Sequence, residues 1–142
     1  MSSELRIMKF LRHEIAQQFV KFCLVGVANT IIDFSIYLLA SRILHFFPLY
    51  ANFLSVLFAM TFSFFANKYF TFQNLEKKVK IQYLKFALVN IIYFLLYNSI
   101  FWLLTSPYQL YDLFAKVIAI IIGLFWNFLA NRYWTFKKDE AI

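Results

Sequence analysis

A chain of 142 residues that is 63% apolar, 23% aromatic and only 15% charged carries more apolar side chain than one soluble core of that size encloses. The formal net charge of +7 therefore has no soluble basic domain to belong to, which excludes a nucleic-acid-binding protein. The single Cys23 excludes an internal disulfide, and its place in an apolar run marks it as a small packing residue.

In chain order, residues 1–18 come first. Leu5, Met8, Leu11 and Ile15 recur at helical spacing with Arg6, Lys9 and Arg12 between them. This is the pattern of a short amphipathic helix lying on anionic headgroups. A membrane-spanning helix needs about 20 mostly apolar residues. Stretches of that kind fall at 19–44, 49–70, 83–105 and 111–134. The first is too long for a signal-peptide core and has no Ala-x-Ala-like cleavage site, so it is expected to stay in the protein. The predicted fold is an all-α integral membrane protein of four transmembrane helices.

Lys and Arg beside spans are retained on the cytoplasmic side. Twelve of the fourteen basic residues cluster before the first span, around the middle connection and after the last span; only Arg42 and Lys116 fall on the other side. Both termini and the middle loop are therefore predicted to be cytoplasmic, in a multi-pass protein of the cell (inner) membrane.

The strings "FFANKYFTFQ" and "FLANRYWTFK" show that the chain repeats itself. Laid on each other at an offset of 64, segments 19–72 and 83–136 are identical at 15 of 54 positions, and at six of the last nine. The expected organisation is an amphipathic segment over 1–18, a two-helix repeat over 19–72, a basic loop over 73–82, a second two-helix repeat over 83–136 and a tail over 137–142. Because each repeat crosses twice, the two are predicted to be parallel, related by an axis along the membrane normal.

Identity concentrates at the cytoplasmic ends. Lys21 pairs with Lys85 and Lys68 with Arg132, giving four cations at headgroup level where a lipid phosphate would sit; the competing role is snorkelling that holds the helices at depth. Tyr69, Phe70, Tyr133 and Trp134 read as an aromatic belt. Asn67 and Asn131 are expected to cap helix ends or bond across the bundle, and Thr71 and Thr135 complete the repeated motif.

The halves differ where polarity is costly: Gly26 faces Asn90 in the alignment, Asn29 faces Tyr93, Asp33 faces Tyr97, Asn52 faces Lys116, and Ser63 faces Asn127. At helical spacing these residues form one small or polar stripe on each helix, as expected of helices that face a shared interior. Asp33 stands out. It lies about 11 residues, roughly 16 Å, past the inner aromatic boundary, near the bilayer midplane. A carboxylate there must be paired, hydrated or protonated. Lys116 is the other ionisable group well inside a span, and an Asp33–Lys116 ion pair is the structural alternative to a functional role.

"KFCLVGVANTIIDF" in the first span and "NFLANRYWTF" closing the last resemble the signatures of GtrA-like membrane proteins, over nearly all of 19–136. The matched positions are Gly26, Asn29, Asp33, Asn127, Asn131, Arg132, Trp134 and Phe136. The resemblance implies translocation of a polyprenyl-phosphate-linked monosaccharide from the inner to the outer leaflet, for decoration of surface polysaccharide or teichoic acid. It implies a transporter that is not an enzyme and needs no cofactor. On that expectation Lys21, Lys68, Lys85 and Arg132 attract the lipid phosphate. Asn29, Asp33, Asn90 and Asn127 bond the sugar hydroxyls, Tyr93 or Tyr97 stacks on the ring, and Lys116 reaches the same seam.

No metal-spaced His or Cys cluster and no nucleotide signature is present in the sequence. Two other readings compete: a scaffold whose basic face, Lys77, Lys78 and Lys80 included, recruits a polyprenyl-phosphate glycosyltransferase, and a small proton-coupled exporter. Against the exporter, Lys116 and the inner cations would repel a cationic substrate. Homo-oligomerisation is expected, because four helices enclose little volume.

Overall fold

The computed structural model describes residues 2–138, with side chains from Glu4 onward. The expected tail over 137–142 therefore falls mostly outside the described residues. Helix α1 is Ser2–Leu38, α2 is Pro48–Ala66, α3 is Val79–Thr105 and α4 is Asp112–Ala130. With their terminal turns, all four are long and apolar enough to cross a membrane. The protein is an all-helical, multi-pass membrane protein.

The chain divides into two compact units, 1–75 and 76–142. Within the first, α1 packs on α2; within the second, α3 packs on α4. Pro48 opens α2 at the position where the missing N–H costs nothing, and Asp112 opens α4, its carboxylate accepting the N–H of Leu113 at 2.9 Å.

Each pair is held by a stripe of small residues spaced four apart. In α2 the buried side chains are Ala51, Ser55 and Ala59; in α4 they are Ala115, Ala119 and Gly123. In a bilayer, lipid tails are as apolar as leucine, so close backbone approach through small residues is what brings two helices together. Phe22, Val25 and Phe72 complete the interior of the first unit, and Phe86, Val89 and Phe136 that of the second. Phe22 meets Phe72 at a 6.2 Å ring separation and Phe86 meets Phe136 at 6.1 Å, both pairs tilted by about 50°. The same contacts thus recur at positions 64 apart in sequence.

Two expectations change. First, α1 runs unbroken from Ser2 to Leu38, about 55 Å at 1.5 Å per residue, so the amphipathic segment over 1–18 is the continuous start of the first spanning helix. Its charges lack an intervening Gly or Pro that would break the helix. Second, the polar stripes do not all face an interior. Gly26 has nothing within 4 Å of a built Cβ, and Asn52 and Lys116 are exposed, one residue off the buried small-residue stripe. A shift of one residue rotates a side chain by about 100°, enough to leave the buried face.

Helix ends are the other feature the sequence hid. Three wide turns, over Leu39–Ile43, Asn67–Thr71 and Asn131–Thr135, close with hydrogen bonds five residues back: Leu44 N–H to Leu39 O, Phe72 N–H to Asn67 O and Phe136 N–H to Asn131 O, at 2.8–3.0 Å. Such π-turns are uncommon and are enriched at functional sites. The left-handed backbone that follows a helix is supplied by His45, Gln73 and Gln109. Both glycines lie inside helices, so longer side chains take on a conformation that costs about 1 kcal/mol or more.

Candidate functional site

The repeated motif forms a collar at one end of each unit. In the first unit, the Lys21 Nζ lies 5.1 Å over the ring of Phe70, and the Lys68 Nζ lies 5.6 Å from the ring of Tyr69. In the second unit, Lys85 lies over Trp134 at 5.3 Å and Arg132 over Tyr133 at 5.5 Å. A cation against an aromatic face keeps part of its charge stabilisation without full hydration, which suits the headgroup boundary.

The four cations are not equivalent. Lys68 is fully buried, its ammonium donating to the Asn74 Oδ1 at 3.0 Å, so it braces the wide turn that ends α2. Lys21, Lys85 and Arg132 are half-buried. The backbone continues this brace, with Asn74 N–H donating to Lys68 O six residues back. In the second unit Lys138 occupies the place of Asn74 in the repeat, so Arg132 has a cation there where Lys68 has an amide acceptor.

The motif asparagines tie different things together in the two units. The Asn67 amide donates to Ser63 Oγ at 3.2 Å, and Thr71 donates to Asn67 Oδ1 at 3.0 Å, all within one helix and its terminal turn. Asn131 instead donates to Asn127, to its backbone O at 2.8 Å and its side-chain Oδ1 at 2.6 Å, and the Asn127 amide reaches across to the Asn90 Oδ1 at 3.3 Å. Asn90 itself donates to Phe86 O at 2.9 Å. The result is a chain of three asparagines joining α4 to α3; Asn131 Oδ1 and Thr135 Oγ1 are buried with no hydrogen-bond partner. Asn90 and Asn127, expected to bond sugar, hold the helix pair together here.

Tyr93 and Tyr97 are likewise engaged. The Tyr93 ring lies against Gly123, where a Cβ would come within 2.9 Å of its Cδ2. Tyr97 lies 6.4 Å from Tyr93 and stacks on Phe101 at 6.3 Å and 6°. The three rings form a ladder along α3.

The first unit presents the opposite arrangement. Asp33, Phe34 and Tyr37 of α1, together with Phe47, Pro48, Leu49 and Asn52 at the start of α2, line an open groove of about 590 Å³. The Asp33 Oδ1 is buried there without a hydrogen-bond partner, as is the Asn29 Oδ1 one turn earlier on α1. Buried carboxylate and amide oxygens left in this state cost about 1–3 kcal/mol each. Both are acceptors and both need donors. Tyr37 and Asn52 in this groove were not among the expected site residues; Tyr37 follows Asn29 and Asp33 at a strict spacing of four, the signal that would have found it.

Among the described residues no group of three His, Cys, Asp or Glu is placed to hold a metal ion. Four spans, two helix pairs built on small-residue stripes and a cationic aromatic collar define a polytopic membrane protein with no extramembrane domain among the described residues. The family model described as "GtrA/DPMS, transmembrane domain" matches residues 21–140, and the chain belongs to that family. It is also similar to the "Uncharacterized membrane protein YngA" of Bacillus subtilis (strain 168), with 32% identity over 119 residues, 82% of this chain and 77% of the relative.

Proposed function

We propose that this protein translocates a polyprenyl-phosphate-linked monosaccharide across the cell membrane, with both termini cytoplasmic and the helix pairs related as parallel repeats. Family membership is in keeping with a role of the lipid-linked-sugar flippase type. The observation that carries the reading is the contrast along α1: a cation at one end of the span and, further in, buried oxygens that lack donors. A polyprenyl-phosphate sugar matches both chemistries, with an anion for the first and hydroxyl donors for the second. The collar cations attract the phosphate, Lys21 in the first unit and Lys85 and Arg132 in the second, Lys68 braces the first unit's collar, and the isoprenoid tail stays in lipid. Surface polysaccharide or teichoic acid is the final acceptor.

The test is transbilayer movement of a short-chain polyprenyl-phosphate monosaccharide in proteoliposomes, comparing native protein, Asp33→Asn and empty vesicles. Native protein is expected to move the lipid at least tenfold faster than empty vesicles, and Asp33→Asn to lose most of that rate. Equal rates with and without protein, across several sugars, would sink the proposal. The scaffold reading would then lead, since Ile7 and Phe10 of α1 are 59% and 70% exposed beside Arg6 and Lys9, a surface suited to a glycosyltransferase.

A further inference from the structure

The two units put different chemistry on equivalent faces. In the first, Asn29, Asp33 and Tyr37 follow one another along α1, Asp33 and Tyr37 lining the groove; in the second, their counterparts are Tyr93, Tyr97 and Phe101, whose rings pack on one another. The acceptor-rich face is open and the aromatic face is filled. Lys21 lies twelve residues before Asp33, about 18 Å along the helix axis. One sugar ring and its phosphate are shorter than that, so the collar and the groove do not grip the same headgroup in a single pose.

We infer that the groove between α1 and the start of α2 is a separate headgroup-selecting station, confined to the first unit, which takes a neutral, hydroxyl-rich sugar after its phosphate has left the cationic collar. This rests on the translocation reading and adds to it where selectivity resides. Asp33 accepts hydroxyl donors, Asn52 supplies an amide that both donates and accepts, and Tyr37 offers a hydroxyl beside a ring face. Phe34 and Phe47 supply apolar walls against which the ring's C–H face packs. A phosphate is a poor occupant because it brings acceptors to a site whose buried atoms are acceptors. An ammonium-bearing sugar is the other donor-rich ligand, and the test separates it.

The experiment measures competition in detergent against a fluorescent farnesyl-phosphate glucose. The competitors are the glucosyl lipid, its monodeoxy analogues, a 4-amino sugar analogue and farnesyl phosphate alone. The glucosyl lipid is expected to outcompete at least one monodeoxy analogue by about tenfold, the value of one hydrogen bond of about 1.4 kcal/mol. Asn52→Leu and Tyr37→Phe are expected to erase that preference, while Phe101→Leu, at the counterpart of Tyr37, leaves it intact. Asn52 is exposed, so its replacement does not disturb the packed interior; the elution profile and melting temperature of each variant confirm folding.

A preference that survives both first-unit changes, or that falls equally with Phe101→Leu, overturns the inference. So does a 4-amino sugar that binds tenfold better than glucose. Selective, groove-dependent binding by a protein that moves no lipid in vesicles would remove the translocation reading and leave the station. Lipid movement whose headgroup preference ignores Asn52 and Tyr37 would do the reverse.

Discussion

The two helix pairs share their packing and differ in their polar chemistry. Phe22, Val25, Ala51, Phe64 and Phe72 in the first unit have buried counterparts of the same type in Phe86, Val89, Ala115, Phe128 and Phe136. Apart from the Asn and Thr of the closing motif, the polar positions do not match. The second unit spends its polar residues on itself: Asn90, Asn127 and Asn131 bridge α3 to α4, and Tyr93 fills the space above Gly123. The first unit has Gly26 in place of Asn90 and Asn29 in place of Tyr93, so the bridge and the ring are both missing and two oxygens are left without donors. A frame that packs the same way twice can thus devote one half to holding together and leave the other half available for a ligand.

The largest stability effect expected from breaking this comparison is at Gly123. Gly123→Leu places a branched side chain where the Tyr93 ring lies and is expected to cost about 2–3 kcal/mol, the upper range for overpacking a close-packed interior. Ala59 is the counterpart of Gly123 and Asn29, a smaller side chain, that of Tyr93, so Ala59→Leu is expected to cost less. Thermal unfolding in detergent measures both, and equal losses would show that the ring is not what makes the second unit tight. Adding Tyr93→Ala to Gly123→Leu is expected to recover part of the loss, since the two side chains then no longer compete for one volume.

Next in size is Asn127→Leu, which removes the bridge and leaves the Asn90 Oδ1 without its donor. Hydrogen bonds between membrane helices are worth about 0.6 kcal/mol on average and up to about 1.7. With an orphaned acceptor added, about 1–1.5 kcal/mol is expected. Ser63→Ala, at the equivalent site, removes a bond made within α2 and is expected to cost less than half of that. A larger loss at Ser63 than at Asn127 would refute the assignment of Asn127 to the helix–helix tie.

These asymmetries also mark what could be read in advance. Helix number, the limits of the last three spans to within a few residues, the duplicated motif and the family were legible, because hydropathy and identity at fixed spacing are properties of the chain itself; the start of the first span was not, because its helix runs on through the charged segment before it. The cation–aromatic collar was legible as residue types. Its internal order was not: whether Lys68 faces headgroups or donates to Asn74 depends on a wide turn whose geometry no residue in "NKYFT" announces. The same holds for Asn90 and Asn127. An asparagine at a lipid-shielded helix face serves ligand and neighbour equally well by pattern, and only the distance between their amides assigns them to each other. Asn52 shows the opposite error of scale, since a stripe read at i, i+3 and i+4 spans enough of the helix to include residues that the packed face leaves out.

The smallest effect is also the sharpest, because it predicts opposite signs at two identical residues. Thr71 donates to the Asn67 Oδ1, whereas Thr135, in the same place in the motif, has a buried hydroxyl oxygen with no partner, and the Asn131 Oδ1 beside it in the motif is likewise unpartnered. Thr→Val keeps the branched shape and removes the hydroxyl. At Thr71 it is expected to cost about 1 kcal/mol, the net worth of one hydrogen bond plus the acceptor left behind. At Thr135 it removes a desolvated group that gains nothing from the fold, and the variant is expected to be unchanged or more stable by up to about 1 kcal/mol. Melting temperatures of the two single variants decide the matter. If both fall together, the hydroxyls do the same work in each unit, and the second unit's asparagine chain does not leave Thr135 idle.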